Sequence, residues 1–80
     1  MKKILIIEDE KDIQNIIKAF LENAGYKVET ADDGVEGINI LQNHNFDLIL
    51  LDIMIPKIDG YTVCEMIRKN SNIPIIILTA

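Results

Sequence analysis

The 80-residue chain is predicted to fold as an α/β domain with an open parallel sheet, and three observations support this prediction. Short apolar runs alternate with segments in which apolar residues recur at helical spacing. Two of these runs, residues 4–7 and 48–51, are apolar throughout, which is typical of strands covered on both faces. The chain is 49% hydrophobic, enough for one small core, so residues 1–80 are expected to form a single unit.

The first predicted helix lies between two predicted strands. Residues 4–7 form the first strand, and residues 26–31 alternate in character, as in a strand nearer an edge of the sheet. Gly25 occupies the position where helices commonly end in a left-handed residue. The apolar face of the helix is predicted to consist of Ile13, Ile16, Ile17, Phe20, Leu21 and Ala24.

The second helix is expected to begin at Asp33, because Asp33 and Glu36 have the spacing of a capping box. Asp32 and Asp59 are also predicted to be helix caps. The apolar face of this helix would comprise Val35, Ile38 and either Ile40 or Leu41. The remaining predicted elements are a strand at 48–51, a helix from Gly60 to about Lys69, and a strand at 75–78.

Charge and composition argue against several classes of function. The net charge of −5 makes nucleic acid binding by this chain itself unexpected. No apolar run is long enough to cross a membrane, and Cys64, the single cysteine, has no partner for an internal disulfide. A cytoplasmic location is therefore the default expectation.

Polar side chains, three of them acidic, follow the predicted strands at their carboxyl ends, which is where open parallel sheets bind ligands. Glu8 and Asp9 follow the first strand, Asp52 the third and Thr79 the fourth. If these strands are neighbours, the four residues share one patch. Two simpler interpretations stay open, with Asp9 as a helix N-cap and Asp52 as a cap of the loop that leads to Pro56.

Three carboxylates in one patch repel one another, and a divalent cation removes that repulsion. Oxygen ligands favour Mg²⁺, Mn²⁺ or Ca²⁺ over zinc, and His44 is expected to be merely exposed. A carboxylate beside such a cation can attack phosphorus and form an aspartyl-phosphate, and the Thr79 hydroxyl can donate a hydrogen bond to the phosphoryl group.

Three other kinds of site fit the sequence poorly. The turn after the first strand, residues 8–12, is acidic where a nucleotide site needs glycines. With Gly60 as the sixth position of a calcium loop, the twelfth is Met66 in place of glutamate. A phosphohydrolase of the haloacid dehalogenase type would carry a second aspartate where this chain has Met54.

The segments ILIIEDE, LLDIMIPKIDG and IPIIILTA together resemble the receiver domain of bacterial two-component response regulators, and the resemblance covers all 80 residues. It implies a flavodoxin-like fold with strand order 2-1-3-4. It also implies that Asp52 accepts a phosphoryl group from a sensor histidine kinase, with Mg²⁺ or Mn²⁺ bound by Asp9, Asp52, the Met54 backbone carbonyl and, through water, Glu8. Thr79 would be the switch hydroxyl. Glu8 replaces the family's more usual aspartate.

The resemblance also implies that the chain is the N-terminal two-thirds of a receiver domain, without the fifth strand and the last two helices. The family's phosphate-binding lysine would then be missing, and Lys57, expected to be a solvated charge, does not replace it. Phosphoryl transfer would be impaired, and the exposed fourth strand and uncovered sheet face would favour self-association.

Two functions therefore remain open. One is a phosphoacceptor switch that is not a turnover enzyme, whose parent protein is a candidate DNA-binding transcription regulator. The other is a non-phosphorylated interaction fragment or self-associating half-domain. A phosphatase is a distant third.

Overall fold

Strands and helices alternate along the chain in the computed structural model, which describes residues 2–78. The strands are β1 (Lys3–Ile7), β2 (Lys27–Ala31), β3 (Leu48–Asp52) and β4 (Ile75–Leu78). The helices are α1 (Lys11–Asn23), α2 (Gly34–Asn43) and α3 (Gly60–Asn70). All strand pairs are parallel and the order is β2-β1-β3-β4, so the predicted fold class and strand order are confirmed.

The core has two layers because successive side chains of a strand point to opposite faces. On one face, Leu5 and Ile7 of β1 belong to a buried cluster with Val63 and Ile67 of α3, and α2 packs against the same cluster. On the other face, α1 covers a smaller cluster formed by Ile4, Ile6, Val28 and Leu50. The sheet is therefore held between α1 and the α2–α3 pair.

The predicted apolar face of α1 is only partly correct. Ile17 and Leu21 pack against the sheet, but Ile13, Ile16 and Phe20 are 45%, 69% and 75% exposed, and Ala24 is exposed too. The inner side of the helix instead includes Gln14, which is buried. The apolar face of α1 predicted from the sequence is wider than the surface that the helix buries against the sheet. Within residues 2–78 the sheet therefore covers only the side of this face that carries Ile17 and Leu21.

Two of the three predicted aspartate caps are confirmed. The carboxylate of Asp33 accepts a hydrogen bond from the backbone N–H of Glu36 at 2.9 Å, and that of Asp59 accepts one from Thr62 N–H at 3.0 Å. Asp32 does not cap a helix, because its carboxylate is bound by the ammonium group of Lys11 at 2.8 Å. The predicted left-handed end of α1 is found at Gly25, where φ is +99°.

Helix α2 contacts the sheet through a residue that its apolar pattern does not indicate. Val35 was expected on the inner face, yet it is 40% exposed. Gly37 lies inward instead, against the side chains of Ile7 and Ala31. The absence of a side chain at Gly37 lets α2 approach β1 closely, and this approach turns Val35 away from the core.

Three further features concern a histidine, the edge strand and the length of the helices. His44 is exposed, as expected. Strand β4 lies at one edge of the described sheet with Ile76 51% exposed and Ile77 38% exposed. None of the helices within residues 2–78 is long and apolar enough to cross a membrane.

Candidate functional site

Three carboxylates meet at the carboxyl edge of the sheet. Glu8, Asp9 and Asp52 each offer an oxygen, and these oxygens lie within 4.8 Å of one another. The register of the central strands explains this convergence, because Ile7 pairs with Leu51 and the next residues along both chains therefore lie level. The parallel sheet thus brings together acids that are more than forty residues apart in sequence.

Glu8 is the buried member of the cluster, with 4% of its surface exposed. Its carboxylate accepts a hydrogen bond from the backbone N–H of Glu10 at 3.0 Å. Burial raises the pKa of Glu8, and the nearby Asp52 and Asp9 carboxylates raise it further, whereas the bond from Glu10 opposes the change. A buried carboxylate beside two others favours a proton or a cation at this position.

Asp9 does not act as the N-cap of α1. The N-cap position is occupied by Glu10, whose side chain makes no capping hydrogen bond. The interpretation of Asp9 as a cap is therefore wrong, and its exposed carboxylate faces the cluster from the start of the β1–α1 connection.

Asp52 has two contacts of different kinds. Its carboxylate belongs to the cluster, and one of its oxygens also accepts a hydrogen bond from the Met54 backbone N–H at 3.1 Å. The interpretation of Asp52 as a cap of its loop is thus correct in part. The Met54 side chain is 72% exposed, so the backbone is what this residue can offer to the site.

The loop after Asp52 is fixed against the start of α3. The backbone N–H of Gly60 donates to the Ile53 carbonyl at 2.9 Å. A Cβ at Gly60 would clash with the α-carbon of Ile53, so only glycine fits this position without a shift of the loop. Ile55 is 8% exposed and anchors the middle of the loop in the core. Asp52 therefore leaves its strand into a loop that is held at both ends.

Lys57 is part of this loop and was expected to be a solvated charge, but it forms an ion pair. Its ammonium group lies 3.2 Å from the Asp33 carboxylate, the cap of α2, although 63% of the lysine side chain is exposed. Its φ of +74° is unusual for a residue other than glycine. The pKa of Asp33 is lowered mainly by the hydrogen bond from Glu36 N–H and additionally by Lys57. The charge of Lys57 is directed to α2.

Gln14 is a polar contact at this edge that the sequence did not lead us to expect. It is 2% exposed, and its side-chain amide donates to the Glu8 carbonyl at 2.9 Å, to the Ala31 carbonyl at 3.3 Å and to an Asp32 carboxylate oxygen at 3.1 Å. Its signal was the spacing of positions 14, 17 and 21, which share one side of a helix. Thr79, the remaining predicted site residue, lies outside the described residues.

The chemistry of the donors fits a hard divalent cation. All three side chains offer carboxylate oxygens, which Mg²⁺, Mn²⁺ and Ca²⁺ prefer. A cation placed among them would also balance negative charge that the fold has concentrated at one point. A carboxylate beside such a cation can act as a nucleophile toward phosphorus.

Comparisons with known proteins identify the family of the chain. Residues 4–80 match the family described as the response regulator receiver domain. The chain is 52% identical over 77 residues to the probable transcriptional regulator ycf27 of Cyanidium caldarium. This alignment covers 96% of the present chain and 31% of that protein. The chain spans about a third of the length of the curated relatives that it matches.

Solved structures give the same result. The response regulator TrrA of Thermotoga maritima, crystallised in complex with Mg²⁺-BeF, is 41% identical with a TM-score of 0.94, over 100% of this chain and 70% of that chain. TrrA in complex with the histidine kinase ThkA gives a TM-score of 0.92 at the same identity and coverage. The resemblance seen in the sequence is confirmed, and the chain belongs to the response regulator receiver domain family.

Proposed function

We propose that this chain is a phosphoacceptor switch of a two-component system, in which Asp52 receives a phosphoryl group from a sensor histidine kinase in the presence of Mg²⁺ or Mn²⁺. The observation that carries the proposal is the cluster of Glu8, Asp9 and Asp52 oxygens within 4.8 Å of one another, in a chain of the receiver family. The complexes of TrrA with Mg²⁺-BeF and with the histidine kinase ThkA support it.

The proposed cation ligands are Asp9, Asp52 and the backbone carbonyl of Met54, with Glu8 contributing through a water molecule. When bound, the cation supplies positive charge that offsets the charge of the carboxylates and of the incoming phosphoryl group. Asp52 is oriented for its role by the Met54 N–H, which holds one carboxylate oxygen at 3.1 Å. The other oxygen is the proposed nucleophile.

The proposed transfer moves one phosphoryl group from nitrogen to oxygen. An Asp52 oxygen forms a bond to phosphorus while the phosphorus–nitrogen bond to the donor histidine breaks, and the electron pair of that bond stays on the donor imidazole. The Thr79 hydroxyl is proposed to donate a hydrogen bond to a phosphoryl oxygen. The product is an aspartyl-phosphate on the chain itself, so the chain is an acceptor and not a turnover enzyme.

The names of the longer relatives suggest the wider role. Because relatives such as ycf27 are described as transcriptional regulators, we propose that residues 1–80 act as the N-terminal two-thirds of the receiver domain of such a regulator, in the cytoplasm. DNA binding would then belong to other parts of the regulator, since this chain carries a net charge of −5.

Phosphorylation with an acyl phosphate tests this function. Intact-protein mass spectrometry after incubation with acetyl phosphate should show one added phosphoryl group that requires Mg²⁺ and is absent from Asp52→Asn. The control is Asp12→Asn, an exposed acid in the first turn of α1, which should be modified normally. Modification that survives Asp52→Asn, or that ignores chelation of the metal, would disprove the assignment.

Self-association is the alternative function that a specific observation favours. Ile76 and Ile77 on the edge strand β4 are 51% and 38% exposed, and an exposed apolar edge strand can pair with a second copy. Sedimentation over a concentration series should show a dimer that Ile76→Lys weakens. A monomer at all concentrations would remove this alternative.

A further inference from the structure

We infer that Gln14 is a positioning residue of the carboxylate cluster, which holds the Glu8–Asp9 peptide group in place and keeps Asp32 apart from the cation ligands. This inference deepens the proposed function, since it concerns the same site. It rests on the contacts of a side chain that touches none of the proposed reacting atoms.

The Gln14 amide is built into the protein interior. The residue is 2% exposed, and its amide nitrogen lies within hydrogen-bonding distance of three acceptors, namely the Glu8 carbonyl, the Ala31 carbonyl and an Asp32 carboxylate oxygen. An amide NH₂ group has only two hydrogens, so at least one of them is shared. The bond to Glu8 is the shortest of the three at 2.9 Å, which makes it the best-formed contact.

The bond to the Glu8 carbonyl fixes the direction of the next side chain. The Glu8 carbonyl and the Asp9 N–H belong to one planar peptide group. Holding the oxygen of that group restricts the rotation that would swing the Asp9 Cα–Cβ bond away from the cluster. The backbone N–H of Glu8 is held as well, by the Ala31 carbonyl at 3.1 Å. The backbone N–H of Glu8 is therefore bound to β2, and the Glu8 carbonyl is bound to α1, immediately before Asp9.

The bond to Asp32 has a second effect. Asp32 follows β2, the neighbour of β1, and so places a fourth carboxylate at the same edge of the sheet. The Lys11 ammonium group at 2.8 Å and the Gln14 amide at 3.1 Å both bind the same oxygen of Asp32. Asp32 is thus occupied by donors from α1, and the cluster of three does not include it.

Two substitutions separate this role from ordinary packing. Gln14→Leu removes both N–H donors at similar volume, and Gln14→Glu keeps the shape while it replaces the donor with a carboxylate oxygen. The matched control is Ile67→Val, which loosens the core at α3 without touching the cluster. The variants are compared at temperatures where circular dichroism shows each to be folded.

The first readout needs no metal. In the chelator-treated 80-residue chain, the backbone amide NMR signals of Asp9 and Glu10 should move or broaden in Gln14→Leu and Gln14→Glu but not in Ile67→Val. Unchanged Asp9 and Glu10 signals in every Gln14 variant that folds would overturn the inference. This readout applies even if only one of the two Gln14 variants folds.

The second readout is the affinity for Mg²⁺ measured by calorimetry. Loss of a residue that orients a metal ligand typically weakens binding by roughly 10-fold or more, and this is the effect expected for Gln14→Leu, with no change for Ile67→Val. If the unmodified chain binds Mg²⁺ and Gln14→Leu binds it equally well, the role of Gln14 is disproved and the proposed function stands. If the unmodified chain binds no Mg²⁺, the proposed function fails and the NMR comparison alone decides the role of Gln14.

Discussion

Replacing Asp52 with asparagine should stabilise the metal-free protein, because this change removes one charge from the cluster and little else. The Met54 N–H can still donate to the side-chain oxygen that asparagine retains. The cluster oxygens lie within 4.8 Å of one another. At that distance two unit charges repel by about 0.9 kcal/mol in bulk water and about 3.5 kcal/mol at an effective dielectric constant of about 20.

Asp52 takes part in two of the three repulsive pairs, with Glu8 and with Asp9. Both pairs exist only in the folded chain, since Asp52 is remote in sequence, whereas Glu8 and Asp9 are adjacent in the unfolded chain too. Asp9 is exposed and Asp52 is half-buried, so the low end of the range applies to their pair. Glu8 is buried, but its raised pKa lowers its mean charge and therefore its repulsion of Asp52, so the low end is used for this pair as well. We expect Asp52→Asn to raise the free energy of unfolding by about 2 kcal/mol, which raises the melting temperature by roughly 10 °C for a domain of this size.

Urea unfolding in the presence of a chelator, followed by circular dichroism, measures this difference. Adding Mg²⁺ should reverse the order of stability, because the cation binds the intact cluster and stabilises it by about 2.7 kcal/mol at a hundred times its dissociation constant. In 1 M salt the metal-free difference should shrink, since the screening length falls to about 3 Å.

Two results would refute this reasoning. If Asp52→Asn is less stable than the unmodified chain without metal, the carboxylate makes favourable contacts that outweigh its repulsion. If Mg²⁺ stabilises both proteins equally, Asp52 is not a cation ligand. Asp12→Asn serves again as the control, because it removes one acid from α1 without changing the cluster.

Two further predictions concern the elements that hold the site. Gly60→Ala should destabilise the protein by about 2 kcal/mol and slow phosphorylation, because a Cβ would strike the Ile53 α-carbon and lie 3.0 Å from the Asp52 carbonyl; normal stability in urea would contradict the observed fit. The capping bonds lower the pKa of Asp33 and Asp59 below the ordinary value of 3.8, so their contribution to stability is complete above pH 3.8 and is lost as the pH falls through the lowered values. Asp33→Asn, which keeps the cap acceptor, should flatten the pH dependence of unfolding below pH 4, and an unchanged slope would contradict it.

The order of elements and the acidic edge were predictable because they depend on local sequence signals. Apolar runs that are too short for helices predicted β1 and β3, and Asp33 and Asp59 predicted the starts of α2 and α3 correctly. In a parallel sheet all strand ends of one kind lie at the same edge, so Asp52 at the end of β3 could be assigned to the edge that carries Glu8. That β1 and β3 are neighbours followed only from the strand order that the family resemblance implies, and the structure confirms it.

The details that were not predictable depend on how one element meets another. Apolar residues on both margins of α1 suit a helical face equally well, and only the contact with the sheet determines that Ile17 is covered while Ile16 is not. Gln14 could not be recognised as a buried donor, because its acceptors come from the ends of two strands. Likewise, the pairing of Lys57 with Asp33 depends on a left-handed residue in a loop, which no local pattern requires.

The distribution of positive charge at this edge supports the proposed cation site. Within residues 2–78, two other aspartates lie at this edge of the sheet. Asp32 is paired with Lys11, and Asp33 is paired with Lys57. The two lysines thus neutralise the acids that flank the cluster, while Glu8, Asp9 and Asp52 have no lysine or arginine partner in that part of the chain. Burial and neighbouring charge raise the pKa of Glu8, so folding concentrates unbalanced charge at the cluster itself. This arrangement of charge supports the proposal that a divalent cation binds the three carboxylates.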